Sequence, residues 1–338
     1  MTKKPIILGI ESSCDDTSAA ILQGRKILSN VIANQQIHSI YGGVVPELAS
    51  RAHQQNIIPV VDTAIKKANI NKEDISAIAF TKGPGLLGSL LVGSSFAKSF
   101  AMGMNIPLIA VNHMQGHILS HFIDEGEPTP KFPFLCLTVS GGHTQIVKVE
   151  SPNNMKVIGT TIDDAAGEAF DKSAKTLGLP YPGGPHIDKH AKNGNINAFK
   201  FGKPKIKELD FSFSGLKTSI LYKIQNNLQK NPRFIEENLE DLCASIQHSI
   251  VSILLNKLEK AIEITGIKQL AIAGGVSANS YLRSELGKLV INKGYKLYIP
   301  KFEYCTDNAA MIAIGGYFKY LDNDFADQSE TPSARLHF

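Results

Sequence analysis

The sequence predicts an α/β protein built twice on one plan. Two apolar segments, IILGIESSCDDTSAAIL near the start and FLCLTVSGGHTQIVKV at 134–149, each read as strand, polar turn, strand. Helical and strand patterns alternate after each of them. The 338 residues also exceed what one hydrophobic core usually serves. Two domains are expected, 1–133 and 134–338, divided by the polar, Pro-rich stretch HFIDEGEPTPKFP at 121–133.

The elements follow in order. PELASRAHQQNIIPVVDTAIKKAN has apolar residues at helical spacing after Pro46, a residue favoured in the first turn of a helix. ISAIAFTKGPG reads as a strand ending in a Gly/Pro turn, and LLGSLLVGSSFAKSFAMG as a helix of small residues that allow close packing, inside the domain or against a partner. PLIAVNHMQGHILSHF is a strand running into a helix. In the second half GEAFDKSAKT and EDLCASIQHSIVSILLNKLEKAIEITG are helical, KQLAIAGGVSANSYL is strand, turn, helix, and KLYIP is a short strand. DNAAMIAIGGYFKY closes the fold as a last helix able to pack back on the first domain. The segment 193–210, with its Gly, Asn and Lys, is expected to be an exposed insertion.

Composition narrows the function classes. Hydrophobic residues are 43% and charged residues 20%, ordinary for a soluble globular protein. No apolar run of about 18 residues is present to span a bilayer, and acidic residues interrupt the N-terminal apolar run too early for a signal-peptide core. A cytoplasmic protein is expected, with no membrane partner. The cysteines, Cys14, Cys136, Cys243 and Cys305, are widely separated, with no C-x-x-C pair, and are read as reduced thiols. A net charge of +4 permits a polyanionic partner without demanding one.

His113 and His117 in NHMQGH are four apart, so on a helix both imidazoles project from one face. They can share a metal, or they can be a hydrogen-bonded pair. His121 continues the stripe, but three such positions spread over roughly 12 Å, too wide for one ion. The H-E-x-x-H peptidase helix is excluded because no carboxylate stands between the histidines to activate water. Asp307 in EYCTDNAAM lies at a helix start, where capping is the alternative to a functional role.

VSGGH at 139–143 and AGGVSANS at 273–280 are Gly turns that end strands and expose backbone N–H groups to a phosphate or carboxylate. Ser140 and Asn279 stand beside them. Asp171 is a candidate ribose contact or a salt-bridged helix residue, and Gly183-Gly184 offers another close backbone approach. Lys203, Lys205, Lys207 and Lys217 around Phe211 and Phe213 can hold an RNA backbone and stack bases, or can be a solvated loop over an apolar cluster.

The segments ESSCDDT, YGGVVPELASR, GPGLLGSLLVG, NHMQGH, VSGGHTQ, DDAAGEAFDK, YPGGP, DFSFSGLKT, AGGVSAN and CTDNAAMIA span nearly the whole chain in order. Together they closely resemble the tRNA threonylcarbamoyladenosine transferases, once labelled O-sialoglycoprotein endopeptidases. The resemblance implies the actin-like ATPase superfold, two duplicated RNase H-like α/β domains with a cleft between them. It implies metal ligands at His113, His117 and Asp307, with Fe2+ the expected ion and Zn2+ the alternative. It places contacts to threonylcarbamoyl-AMP, or an adenine nucleotide, at Thr138, Val139, Ser140, Gly141, Gly142, Asp171, Gly184, Asp188 and Asn279. The implied reaction transfers the threonylcarbamoyl group to N6 of adenosine 37 in tRNAs reading codons that begin with A. Implied partners are tRNA, an inactive paralogue subunit and a P-loop ATPase in bacteria, with a threonylcarbamoyl-AMP synthase upstream. The chain departs from many members at Gln115, where they carry Glu, and at Thr138, where archaeal and eukaryotic relatives carry a tyrosine near the metal.

Overall fold

The computed structural model describes residues 4–35, 38–202, 204 and 206–338. The chain forms two compact units, one of Met1–Pro130, Glu150–Met155 and Pro300–Phe338, the other of Lys131–Val149 and Lys156–Ile299. The C-terminal segment thus belongs with the N-terminal unit, and the division falls at Pro130 rather than after residue 133.

The first unit contains β1 (Ile6–Glu11), β2 (Thr17–Gln23), β3 (Lys26–Ala33), α1 (His38–Tyr41), α2 (Pro46–Ala68), β4 (Ala77–Gly83), α3 (Leu87–Met104), β5 (Leu108–Asn112) and α4 (His113–Leu119). Its sheet runs β3-β2-β1-β4-β5. The three leading strands pair antiparallel, and β4 and β5 join parallel to β1. Every residue of β1 is buried, as a central strand covered on both faces requires. Pro46 opens α2, where its missing N–H costs nothing. Asn69 and Asn105 end α2 and α3 in the left-handed conformation, which Asn tolerates.

The second unit contains β6 (Phe134–Val139), β7 (Thr144–Ser151) and β8 (Asn154–Thr160) apart from their hairpin tip, α5 (Ala166–Thr176), α6 (Gly183–Ala191), α7 (Ser214–Leu228), α8 (Phe234–Thr265), β9 (Gln269–Ala273), α9 (Ser280–Lys293) and β10 (Lys296–Tyr298). Its sheet runs β10-β9-β6-β7-β8, the first unit's plan with the same parallel and antiparallel pairings around the central strand. The duplication is therefore topological as well as sequential. The expected start of α8 at Glu240 falls just past Asn238, whose backbone at φ −127° kinks the helix. The described part of the segment 193–210 is largely exposed, as its composition suggests, but it is anchored: Phe201 and Leu209 are buried in the second core, and Gly194 lies directly on the Glu240 carbonyl.

The last helix, α10 (Ala309–Leu321), packs on β1, β2, β4 and α4 of the first unit. Four glycines let the backbones approach. A Cβ on Gly9 of β1 would stand 2.5 Å from the Ala309 carbonyl oxygen, and one on Gly116 of α4 would stand 3.1 Å from that of Met311. On α10 itself, a Cβ at Gly315 would meet Val111 at 2.8 Å and one at Gly316 would meet Ala79 at 2.4 Å. Side chains at these positions would overpack the seam.

Gly9→Ala is expected to lower stability in urea unfolding by about 1–3 kcal/mol, since the new methyl must push α10 off the sheet. Gly287→Ala is the contrasting variant. It lies inside α9 with nothing within 4 Å of an added Cβ, and is expected to stabilise by about 0.5–1 kcal/mol through helix propensity.

Candidate metal centre

Strand β5 ends at Asn112, whose side-chain oxygen caps α4 by accepting from the N–H groups of Met114 (2.9 Å) and Gln115 (3.3 Å). The cap is itself held, because the Asn112 side-chain amide donates to the carbonyl of His337 at 3.1 Å. The first residue of α4 is His113 and the fifth is His117, so strand and cap together fix where both imidazoles start. Their rings meet edge to face with centroids 4.8 Å apart. Met114, where a peptidase would carry its glutamate, is buried.

Asp307 does not cap α10. Its neighbour Asn308 does, accepting from the Met311 N–H at 3.1 Å, which leaves the aspartate carboxylate directed at the histidines. Asp307 Oδ1 lies 3.4 Å from His113 Nε2 and 3.3 Å from His117 Nε2. One ligand atom from each of the three side chains lies within 4.8 Å of the others. His121 is not part of the cluster.

The donor set fits a divalent ion. His117 is buried, its Nδ1 has no hydrogen-bond partner and its Nε2 meets only Asp307 Oδ1 at 3.3 Å, a costly arrangement for a polar group unless something else binds it. Two imidazole nitrogens and a carboxylate oxygen suit iron or zinc. Burial works against charge on His113, but Asp307 and Glu11 outweigh it and push the imidazole up to about 10. Burial likewise works against charge on Asp307, and His113 with His117 reverses this, holding the carboxyl well below the usual carboxylate range. A proton shared in this cluster is what an incoming cation would displace.

Sequence reasoning did not single out Glu11. It ends β1 and is fully buried. Its Oε2 lies 3.0 Å from His113 Nδ1 and accepts from the Thr81 hydroxyl at 2.7 Å, while Oε1 accepts from the Ser13 N–H. The Ser13 hydroxyl also lies 3.1 Å from His113 Nδ1. The available signal was an acidic residue closing an otherwise apolar strand, IILGIE. Among the free thiols, burial raises Cys14 well above its usual range and pushes Cys243 up to about 12, so these stay protonated at neutral pH.

The remaining candidates lie in the second unit. Thr138 and Val139 close β6 with their side chains fully buried, whereas Gly141 and Gly142 are exposed, with nothing within 4 Å of an added Cβ. The hairpin between them is fastened by Ser140: its N–H donates to the His143 carbonyl and its hydroxyl accepts from the His143 N–H. Behind it, Gly167 of α5 packs on the Ser140 carbonyl and Gly274, at φ +86°, on that of Val139. Asp171 forms no ion pair among the described residues; it accepts from the Gly183 N–H at 2.7 Å at the start of α6. Burial raises its carboxyl, moderated by the Gly183 and Gly184 amides. Asp188 on α6 accepts from the Ser280 N–H and hydroxyl, and Asn279 caps α9 by accepting from the Leu282 N–H. Ser140 and Gly274 directly follow the carboxyl ends of the parallel strands β6 and β9, the position at which open α/β sheets bind ligands.

The Lys/Phe segment resolves toward its structural alternative. Phe211 and Phe213 are fully buried and stack on each other with centroids 6.4 Å apart, so neither is free to stack a base. Lys217 pairs with Asp164 at 2.8 Å. Lys207 is exposed; Lys203 and Lys205 lie outside the described residues.

Among solved structures, full-length HypF in a phosphate- and nucleotide-bound form matches 96% of this chain and 48% of its own, with a TM-score of 0.63 at 13% identity. That likeness supports the actin-like ATPase fold. In sequence, the chain is 64% identical to the tRNA N6-adenosine threonylcarbamoyltransferase of Christiangramia forsetii over 98% of both chains. It is equally similar to the enzyme of the same name from Riemerella anatipestifer, 64% over 98% of both. The sequence profile of that family matches residues 26–314. The chain therefore belongs to the tRNA N6-adenosine threonylcarbamoyltransferases, transferases that form threonylcarbamoyladenosine on tRNA.

Proposed function

We propose that the chain transfers the threonylcarbamoyl group from threonylcarbamoyl-AMP to N6 of adenosine 37, in tRNAs reading codons that begin with A. The observation that carries the chemistry is the convergence of His113, His117 and Asp307 within ligand distance, with both nitrogens of the buried His117 lacking any other partner. These three residues would hold one divalent ion, Fe2+ in the first instance and Zn2+ as the alternative. When bound, that ion supplies Lewis acidity to the oxygens of the threonylcarbamoyl group.

The protein's own groups supply the rest. In the second unit, the exposed backbone of Gly141 and Gly142 offers N–H donors to the phosphate of the adenylate and to charge developing as AMP departs. Ser140, Asp171, Gly184, Asp188 and Asn279 complete the adenylate site, with Thr138 and Val139 contributing through backbone because their side chains are buried. The N6 amine attacks the carbamoyl carbon, the bond from that carbon to the phosphate oxygen breaks, AMP leaves, and the amine sheds a proton. No protein nucleophile is needed, which agrees with thiols held in the protonated form. The enzyme would work in the cytoplasm with an inactive paralogue, a P-loop ATPase and a separate threonylcarbamoyl-AMP synthase. No helix among the described residues is long and apolar enough to cross a membrane.

Three measurements check this reading. With purified protein, tRNA and threonylcarbamoyl-AMP, His113→Ala is expected to lose more activity than the roughly 10–100-fold that removing an outer-shell partner costs; undiminished transfer would take the ligand set out of the mechanism. Zn2+ at about 100 times its Kd is expected to stabilise the wild type by about 2.7 kcal/mol and to leave His117→Ala unmoved in thermal melts. Asn279→Ala is expected to raise KM for threonylcarbamoyl-AMP with KM for tRNA unchanged, and to lose about 1 kcal/mol of stability with the cap of α9.

A further inference from the structure

We propose that Glu11 is a positioning residue for the metal-binding histidine: its carboxylate grips His113 Nδ1 from behind and so aims Nε2 at the ion. The inference rests on reading His113, His117 and Asp307 as the ligand set. An ionised carboxylate can only accept hydrogen bonds. With Oε2 at 3.0 Å, Nδ1 therefore carries a proton, and Nε2, which faces Asp307 Oδ1 at 3.4 Å, is the nitrogen left to an ion that displaces the proton on that side. Two neutral donors hold the carboxylate in turn, the Thr81 hydroxyl on Oε2 and the Ser13 N–H on Oε1. Oε2 is thus fixed by β4 before it meets the imidazole.

The two histidines differ in this respect. His113 has a carboxylate behind it, while His117 Nδ1 has no partner. Packing and the turn of α4 orient His117; hydrogen bonding orients His113. A fully buried carboxylate at the end of a central strand is costly to keep unless its partners need its charge, and a negative partner raises the basicity of a ligating imidazole. A glutamine of the same shape supplies neither that charge nor a second acceptor, since its single amide oxygen can face the Ser13 N–H or the Thr81 and His113 side but not both.

The test is Zn2+ affinity by competition with a chromophoric chelator, together with the ring-nitrogen NMR signals of His113, for wild type, Glu11→Gln, Thr81→Val and His113→Ala. Glu11→Gln is expected to bind one Zn2+ about 10–100-fold more weakly, with the ring-nitrogen signals of the metal-free His113 shifted by the loss of the carboxylate beside Nδ1. Thr81→Val, which keeps the carboxylate and removes one neutral anchor, is expected to lose less. Wild-type affinity and unchanged ring signals in Glu11→Gln overturn the proposal, as does complete loss of binding, which would place Glu11 among the ligands themselves. Should Glu11→Gln not fold, unchanged affinity in Thr81→Val overturns it. Wild-type Zn2+ affinity in His113→Ala instead overturns the ligand reading, so the two failures are separable.

Discussion

The close seating of α10 on β1 and α4 is the constraint on which the metal centre depends. Asp307 immediately precedes the capping residue Asn308, so its carboxylate goes wherever the helix start goes. Gly9 and Gly116 keep the seam free of side chains on the sheet and on α4, and Gly315 and Gly316 do so from the helix side. Leu, Ile or even Ala at these positions would add apolar area to bury, yet would separate backbones that must lie in contact. Side-chain area is given up in favour of backbone proximity, and Asp307, the third candidate ligand, reaches histidines far from it in the chain.

Electrostatics then works inside the space the packing creates. Two carboxylates, the buried Glu11 and the partly exposed Asp307, flank one buried imidazole, His113. Repulsion between the carboxylates is offset only while positive charge sits between them, which is why the imidazole is raised rather than lowered by its burial. A site in this condition favours a cation over an empty space. His117 sharpens the preference, since its Nε2, which faces the same Asp307 oxygen at 3.3 Å, gains nothing from a proton held on His113 but would gain from an ion shared with it.

The parts legible in the sequence were those with a strong local signal. The hairpins β1-β2 and β6-β7 announced themselves by apolar runs around turn residues, and α2 by Pro46 followed by helical spacing. Strands β3 and β8 were not legible, because each is a partly exposed edge or near-edge strand whose residues neither alternate cleanly nor form an apolar run. At the site, the histidine pair was visible from its spacing, and Asp307 was not. Asp307 and Asn308 are equally good caps by residue type, and only the folded distances reveal that Asn308 takes the cap. Glu11 was hidden for a related reason: beside the Ser and Asp of a turn, a strand's last acidic residue looks like part of the loop. Phe211 and Phe213 misled in the opposite direction, since alternation with lysines suggested an exposed stacking surface where the pair is core.

In the second unit, nearly every polar residue proposed to meet the adenylate already has a structural task. Asp171 holds the first amide of α6, Asp188 holds Ser280, and Asn279 caps α9 while its side-chain amide donates to Gln247 at 2.7 Å. Such residues do not have to be ordered when a ligand arrives, because folding has already ordered them. Ser140 is tied to His143 in the same way, so the exposed amides of Gly141 and Gly142 are presented by a turn whose two ends are fixed. Donors held in place before charge develops need no reorganisation when it does, and this is the condition under which backbone N–H groups contribute most to a transfer reaction. Gly141 and Gly142 leave that turn open, with no atom within 4 Å of an added Cβ, and on the function proposed above the fixed residues at either end are what would let so small a turn act as a donor.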